Sequence, residues 1–128
     1  MTDEQHRLGQ EVRKKLFGPK AGTAAKLLPD TLARYTTEFV FGDLWQQDEL
    51  TIQERELATT TMLIVLNREA EQRFHFTACR NLGIERSKIE GIITHAAFYA
   101  GWPCAMSAAR VLHEIWPPDE DNPEPSAP

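Results

Sequence analysis

Cysteine is scarce in this chain: two in 128 residues, Cys79 and Cys104. Two thiols 25 positions apart make no disulfide framework and no vicinal dithiol, the usual redox unit. Long apolar runs are absent too. No stretch approaches the roughly 18 uncharged apolar residues of a membrane-spanning helix. Nor is there an excess of positive charge: 14 Lys and Arg stand against 19 Asp and Glu, net −5, which excludes a strongly basic nucleic-acid binder. The first residues, Met1 to Arg7, are too polar for a secretory signal peptide. A glycine-rich phosphate loop and a nucleophile elbow are both missing. These absences predict a cytoplasmic protein with neither nucleic acid nor membrane as partner.

What remains is an ordinary globular composition, 41% hydrophobic and 26% charged. A chain of this length can bury about two thirds of its unfolded surface and so build a core without staples. The acidity is concentrated at one end. Residues 117–128 read PPDEDNPEPSAP, with five prolines and four acidic residues. Such a segment buries too little to offset its ordering entropy, so 1–116 is expected to form one domain and 117–128 a disordered tail.

The body reads as all-α, with about six helices. A capping box, Thr2 with Gln5, opens the first, which carries Leu8, Val12 and Leu16 and stops before Gly18-Pro19. Residues 20–28 form a connector. Pro29-Asp30 opens a second helix through Phe41, ended by Gly42, and Asp43-Leu44-Trp45 packs against the body. Thr51 and Glu54 form the clearest capping box and open a third helix. Its end, Met62 to Leu66, is apolar on every side, which suits a central helix or a subunit interface. A fourth helix spans 68–82, followed by Gly83 as the residue after the cap. Ser87 and Glu90 predict a further capping box and a fifth helix to Ala100. Pro103 suits the first turn of a sixth, which Pro117-Pro118 ends at Trp116.

The fourth helix holds the best candidates for chemistry. Glu71 and His75 are four apart and share a face. An imidazole beside a carboxylate suits general acid–base work near neutral pH. The same spacing fits a surface pair worth a few tenths of a kcal/mol. Phe74 and Ala78, with Ala70 and Leu82, are expected to mark the apolar stripe beside the pair. His95 and Tyr99 on the fifth helix fit a cavity near Trp102 or a satisfied core pair. Glu71, His75 and His95 match neither the zinc-peptidase nor the di-iron spacing, so no metal is expected. Arg55, Arg68, Arg73 and Arg80 cluster on the third and fourth helices, and Arg68 lies just before Glu71. Arginine matches a carboxylate bidentately, so an anionic substrate fits.

With these stretches in view, residues 51–116 resemble the carboxymuconolactone decarboxylase family. The matching segments are Met62-Leu-Ile-Val-Leu-Asn-Arg-Glu-Ala-Glu with His75 after it, Asn81-Leu-Gly-Ile, His95-Ala-Ala-Phe-Tyr-Ala-Gly-Trp-Pro and Ala109-Arg-Val-Leu-His-Glu. Gly9-Gln-Glu-Val-Arg and Phe41-Gly-Asp-Leu-Trp extend the likeness toward the N-terminus. The alkyl hydroperoxidase D proteins share the fold, with a motif of Glu, eleven residues, then Cys-x-x-Cys-x-x-x-His. Counted from Glu56, Arg68 and Glu71 stand at the cysteine positions and His75 at the histidine. The outer members of that proton relay are present and both redox sulfurs are not, which argues against peroxidase activity.

The resemblance implies a small helical subunit that assembles, as a trimer or hexamer, with pockets lined partly by a neighbour. It implies cofactor-free loss of CO2 from 4-carboxymuconolactone, giving the enol-lactone of 3-oxoadipate. His75 would be the acid–base group, oriented by Glu71 and with Glu56 in the relay. Arg68 would hold a carboxylate, and His95, Tyr99 and Trp102 would line the pocket. Two departures bear on substrate. Where the decarboxylases carry Arg-Pro-Gly-Leu and further arginines, this chain reads Gln46-Gln-Asp-Glu-Leu-Thr-Ile-Gln-Glu-Arg, and Pro19-Lys-Ala-Gly replaces an Asp-His-Val segment. The alternatives are an isomerase, dehydratase or cyclase acting on a less charged intermediate, or a small-molecule-binding oligomer without turnover.

Overall fold

A computed structural model describes residues 2–21 and 24–119. Of the tail expected over 117–128, residues 120–128 lie outside the described residues, as do Met1 and part of the 20–28 connector. Six α-helices form the body, with no strand among the described residues. They are α1 (Asp3–Phe17), α2 (Asp30–Tyr35), α3 (Ile52–Val65), α4 (Glu69–Asn81), α5 (Arg86–Ala100) and α6 (Trp102–Ile115).

Local chemistry sets most boundaries. Thr2 and Gln5 form the expected capping box on α1, and Thr51 and Glu54 form one on α3. Each such cap is worth about 1 kcal/mol. Asn67 takes the left-handed conformation that Asn tolerates (φ 58°) and turns α3 back into α4. Pro103 sits in the first turn of α6.

Two boundaries differ from expectation. The single helix expected over 29–41 is α-helical only to Tyr35 and continues as a π-helix, Thr36–Phe41. This segment lies backbone to backbone on α1. A Cβ on Gly9 would sit 1.8 Å from the Thr37 carbonyl oxygen, and one on Gly42 would sit 2.1 Å from that of Gln5. Only glycine permits such an approach. The second difference is α5. It starts at Arg86 with Glu85 as its cap residue, and the Ser87–Glu90 box does not form. The Glu90 carboxylate pairs with Arg86 instead, and the Ser87 hydroxyl donates to Glu85.

The core has two parts that meet on α4. Ile64, Phe76, Cys79, Ile89, Ile93, Ala108, Val111, Leu112 and Trp116 pack α3 through α6 together. Val12, Leu16, Phe41 and Ala78 join α1 and the π-helix to α4. Each large side chain so buried contributes about 1.5–3 kcal/mol. Helix α4 is therefore buried on two faces. Its buried stripe is Gln72, Phe76, Ala78 and Cys79; of the expected stripe Ala70, Phe74, Ala78 and Leu82, Ala78 is buried and Leu82 packs against the core, whereas Ala70 and Phe74 face outward. Of the apolar run at the end of α3, Ile64 is buried, while Met62, Val65 and Leu66 are exposed.

Candidate active site

Helices α3 and α4 form an antiparallel hairpin with a polar seam inside it. Near the turn, the Gln72 side-chain amide donates to the Leu63 carbonyl at 3.1 Å. Farther from the turn, Glu56 and Thr60 of α3 face His75 and Cys79 of α4. Glu56 is completely buried. With Nδ1 of His75 protonated, it donates to Glu56 Oε2 at 2.8 Å. The Thr60 hydroxyl donates to the same oxygen at 3.0 Å. The Cys79 thiol lies 3.4 Å from the Thr60 oxygen and 3.9 Å from Glu56 Oε2.

A carboxylate taken out of water costs several kcal/mol unless it is matched by charge or hydrogen bonds. Here the protein's donors converge on one oxygen, and Glu56 Oε1 is buried without a partner. Burial pushes the Cys79 thiol up to about 12, so it stays protonated and a donor. It is no thiolate nucleophile.

His75 is the member of the seam that reaches the outside. Its side chain retains 16% exposure. Nδ1 is committed to Glu56, and no hydrogen bond is formed by Nε2 among the described residues. The Phe17 ring meets the imidazole edge-on at 5.4 Å between centroids, and Phe17 in turn packs on Phe41. An imidazole fixed at one nitrogen by a buried carboxylate, with the other nitrogen open, is built to move a proton.

The expected partner of His75, Glu71, is elsewhere. Glu71 accepts from Arg68 Nε at 3.2 Å, and both side chains are exposed. The i, i+4 spacing placed Glu71 and His75 on neighbouring turns. However, the carboxylate that reaches Nδ1 comes across the hairpin from α3 and excludes water, whereas Glu71 sits at the wet end of α4. The carboxylate at His75 Nδ1 is thus Glu56 and not Glu71.

The four arginines do not converge. Arg68 pairs with Glu71, and Arg73 forms a two-pronged pair with Glu114 of α6 at 2.9 and 3.1 Å. Arg80 lies over the Trp116 ring, and Arg55 donates to the Gln47 carbonyl at 3.0 Å.

His95, Tyr99 and Trp102 are not in the seam. His95 and Tyr99 stack at 4.6 Å on the outer face of α5, where Tyr99 is 82% exposed. Phe98 and Trp102 meet at 5.6 Å beside them, both exposed. Among the described residues, no hydrogen bond or ring contact joins this group to His75.

Sequence reasoning passed over Thr60, Phe17 and the buried role of Cys79. The available signal was a polar stripe at helical spacing, Glu56 and Thr60 on one helix against Gln72, His75 and Cys79 on the next. A search for apolar periodicity discards it.

The fold and the seam define an all-helical protein with a buried Glu–His pair open at Nε2. The family model for carboxymuconolactone decarboxylases matches residues 30–114. A 4-carboxymuconolactone decarboxylase of Acinetobacter baylyi is 31% identical over 121 residues, covering 91% of this chain and 90% of that protein. A nitrosuccinic acid decarboxylase of Metarhizium robertsii is 29% identical over 121 residues, covering 88% and 85%. The chain belongs to the carboxymuconolactone decarboxylase family. Both relatives are decarboxylases by name, which supports a decarboxylase-type function.

Proposed function

We propose that this protein is a cofactor-independent decarboxylase of a small carboxylated substrate, with His75 as the proton-transfer group and Glu56 as its buried counter-charge. The observation that carries this reading is the His75 Nδ1–Glu56 Oε2 bond of 2.8 Å with Nε2 left open. The names of the two relatives share a chemical denominator. Each substrate carries a carboxylate near an electron sink, an unsaturated lactone in one and a nitro group in the other. When the bond to CO2 breaks, its electron pair passes into that sink. The resulting carbanion equivalent then takes a proton, which the His75 imidazolium supplies from Nε2. Water restores the proton, and the net change is one proton taken up and one CO2 released.

For 4-carboxymuconolactone, the electron pair runs through the ring double bond to the lactone carbonyl, and the proton lands beside that carbonyl. In this chain Arg68 is engaged by Glu71 and Arg73 by Glu114. A substrate with fewer carboxylates therefore suits it at least as well. No helix among the described residues is long and apolar enough to cross a membrane, and a cytoplasmic location accords with that.

We also propose that the working form is a homo-oligomer, a trimer or hexamer, with a second copy covering the face of Phe98, Tyr99, Trp102 and Met106. These four residues of α5 and α6 are 75%, 82%, 59% and 47% exposed in the isolated chain, and the Phe98 and Trp102 rings meet. Exposed apolar side chains grouped in this way mark an interaction surface.

Turnover of 4-carboxymuconolactone and of nitrosuccinate by the wild type and by His75→Ala tests the reading. CO2 release by the wild type that drops about 10²–10⁴-fold in the variant is the expected result. Equal release by both would remove His75 from the chemistry. No release from either substrate by a folded oligomer would favour isomerase, dehydratase or cyclase chemistry at the same imidazole.

A further inference from the structure

Five threonines of the helical segments behave alike. Thr36, Thr59, Thr61, Thr77 and Thr94 each donate the hydroxyl proton to the carbonyl four residues back, at 2.7 to 3.1 Å. This is the ordinary resting place of a helical threonine. Thr60, between two that follow the rule, does not. It is completely buried, and it donates to Glu56 Oε2 at 3.0 Å. Its oxygen is left free to accept, and the Cys79 thiol stands 3.4 Å from it.

We propose that Thr60 is a positioning residue for the reaction inferred above: its hydroxyl, itself accepting from the Cys79 thiol, pins Glu56 Oε2 against His75 Nδ1 and so keeps the imidazole in the tautomer whose Nε2 is open. The chain of donors runs one way, from the Cys79 thiol to the Thr60 oxygen, from the Thr60 hydroxyl to Oε2, and from Nδ1–H to the same Oε2. Each heavy atom in it has a consistent role. A thiol that stays protonated, as burial makes Cys79, can only sharpen this direction. The opposite carboxylate oxygen shows what the arrangement prevents. Oε1 is buried with no donor. A rotated Glu56 would present that oxygen, or none, to Nδ1, and the imidazole would be free to carry its proton on Nε2 instead. The groups that face the carboxylate across the hairpin are His75 and Cys79.

The test is the His75 tautomer, read by nitrogen-15 NMR on the full chain, together with steady-state turnover. The wild type should show neutral His75 protonated on Nδ1. Thr60→Val keeps the shape and removes the donor. It should move the tautomer ratio roughly fivefold toward Nε2–H, the effect of one ordinary hydrogen bond. It should also lower kcat about tenfold with KM unchanged, as for the loss of an orienting partner. Thr60→Ser should restore both, and Cys79→Ala should move both in the same direction by less. A Thr60→Val protein that loses thermal stability but keeps the wild-type tautomer ratio and kcat would reduce Thr60 to packing and overturn the proposal. Failure of Thr60→Ser to restore them would overturn it as well. The tautomer needs no substrate. A wild type with the Nδ1–H form and no decarboxylation would therefore refute the reaction while leaving Thr60 in its role.

Discussion

The hairpin seam and the α5–α6 face both gather the side chains that functional sites use, yet they are built on opposite terms. In the seam, Glu56, Thr60, His75 and Cys79 find their partners inside one chain, and burial makes each partner matter. On the α5–α6 face, His95 stacks on Tyr99 and Phe98 meets Trp102, and all four are exposed. The same residue types are thus finished in one place and unfinished in the other. A desolvated donor–acceptor set is fixed by the fold. An exposed aromatic set is fixed by whatever covers it.

The largest way to break this comparison is to remove one member from each region. His75→Ala leaves the buried Glu56 carboxylate without its Nδ1–H donor. Breaking a buried pair on one side costs about 3–5 kcal/mol. Adding Glu56→Leu to it should recover most of that loss, since the second change removes the orphaned charge. Tyr99→Ala, on a surface already 82% exposed, should cost under about 0.5 kcal/mol in the same urea titration of dissociated protein. A Tyr99 loss as large as that of His75 would erase the distinction, as would a double variant no more stable than His75→Ala.

Assembly sharpens the other side. If a second copy covers the aromatic face, Trp102→Ala should weaken association about 30-fold or more, the effect of a central aromatic anchor. Light scattering across a dilution series reads this directly. Association unchanged by Trp102→Ala would move the interface elsewhere, with the exposed Met62 of α3 and Leu66 just after it as the next surface to alter.

How much of this was legible in the sequence follows from the same contrast. Helix ends were readable where a cap is local: Thr2 with Gln5 and Thr51 with Glu54 act within one turn. They were misread where a distant partner decided the outcome. Arg86 claimed Glu90 and cancelled the third capping box, and close backbone contact between α1 and 36–41 accompanies a π-helix where a plain helix was expected. The site shows the same division. His75 and Glu71 were paired because a helix sets neighbours at four residues, and that rule sees only one helix. The true partner, Glu56, stands 19 positions away and meets His75 only after the hairpin closes. Its position was known from the family's motif spacing, but the carboxylate beside His75 was expected to be Glu71.

Cys79 offers the finest cut between the regions, because its titration reports burial of the seam alone. In the unfolded chain the thiol loses its proton near the usual 9.0, and in the folded chain it holds it to about 12. Between those values the folded state binds the proton that the unfolded state has released. The stability this contributes is complete below pH 9 and is lost as pH rises toward 12, by up to about 1.4 kcal/mol per pH unit. Other groups titrate in the same range, so the slope of Cys79→Ala is the reference. Cys79→Ala should be less stable than the wild type at neutral pH, from the small cavity it leaves, and should lose stability less steeply above pH 9. Parallel slopes for the two proteins would mean that water reaches the thiol, and with it the Thr60 hydroxyl and the Glu56 carboxylate. The seam would then be as open as the aromatic face, and the tight placement of Glu56 against His75 would have no dry environment to sustain it.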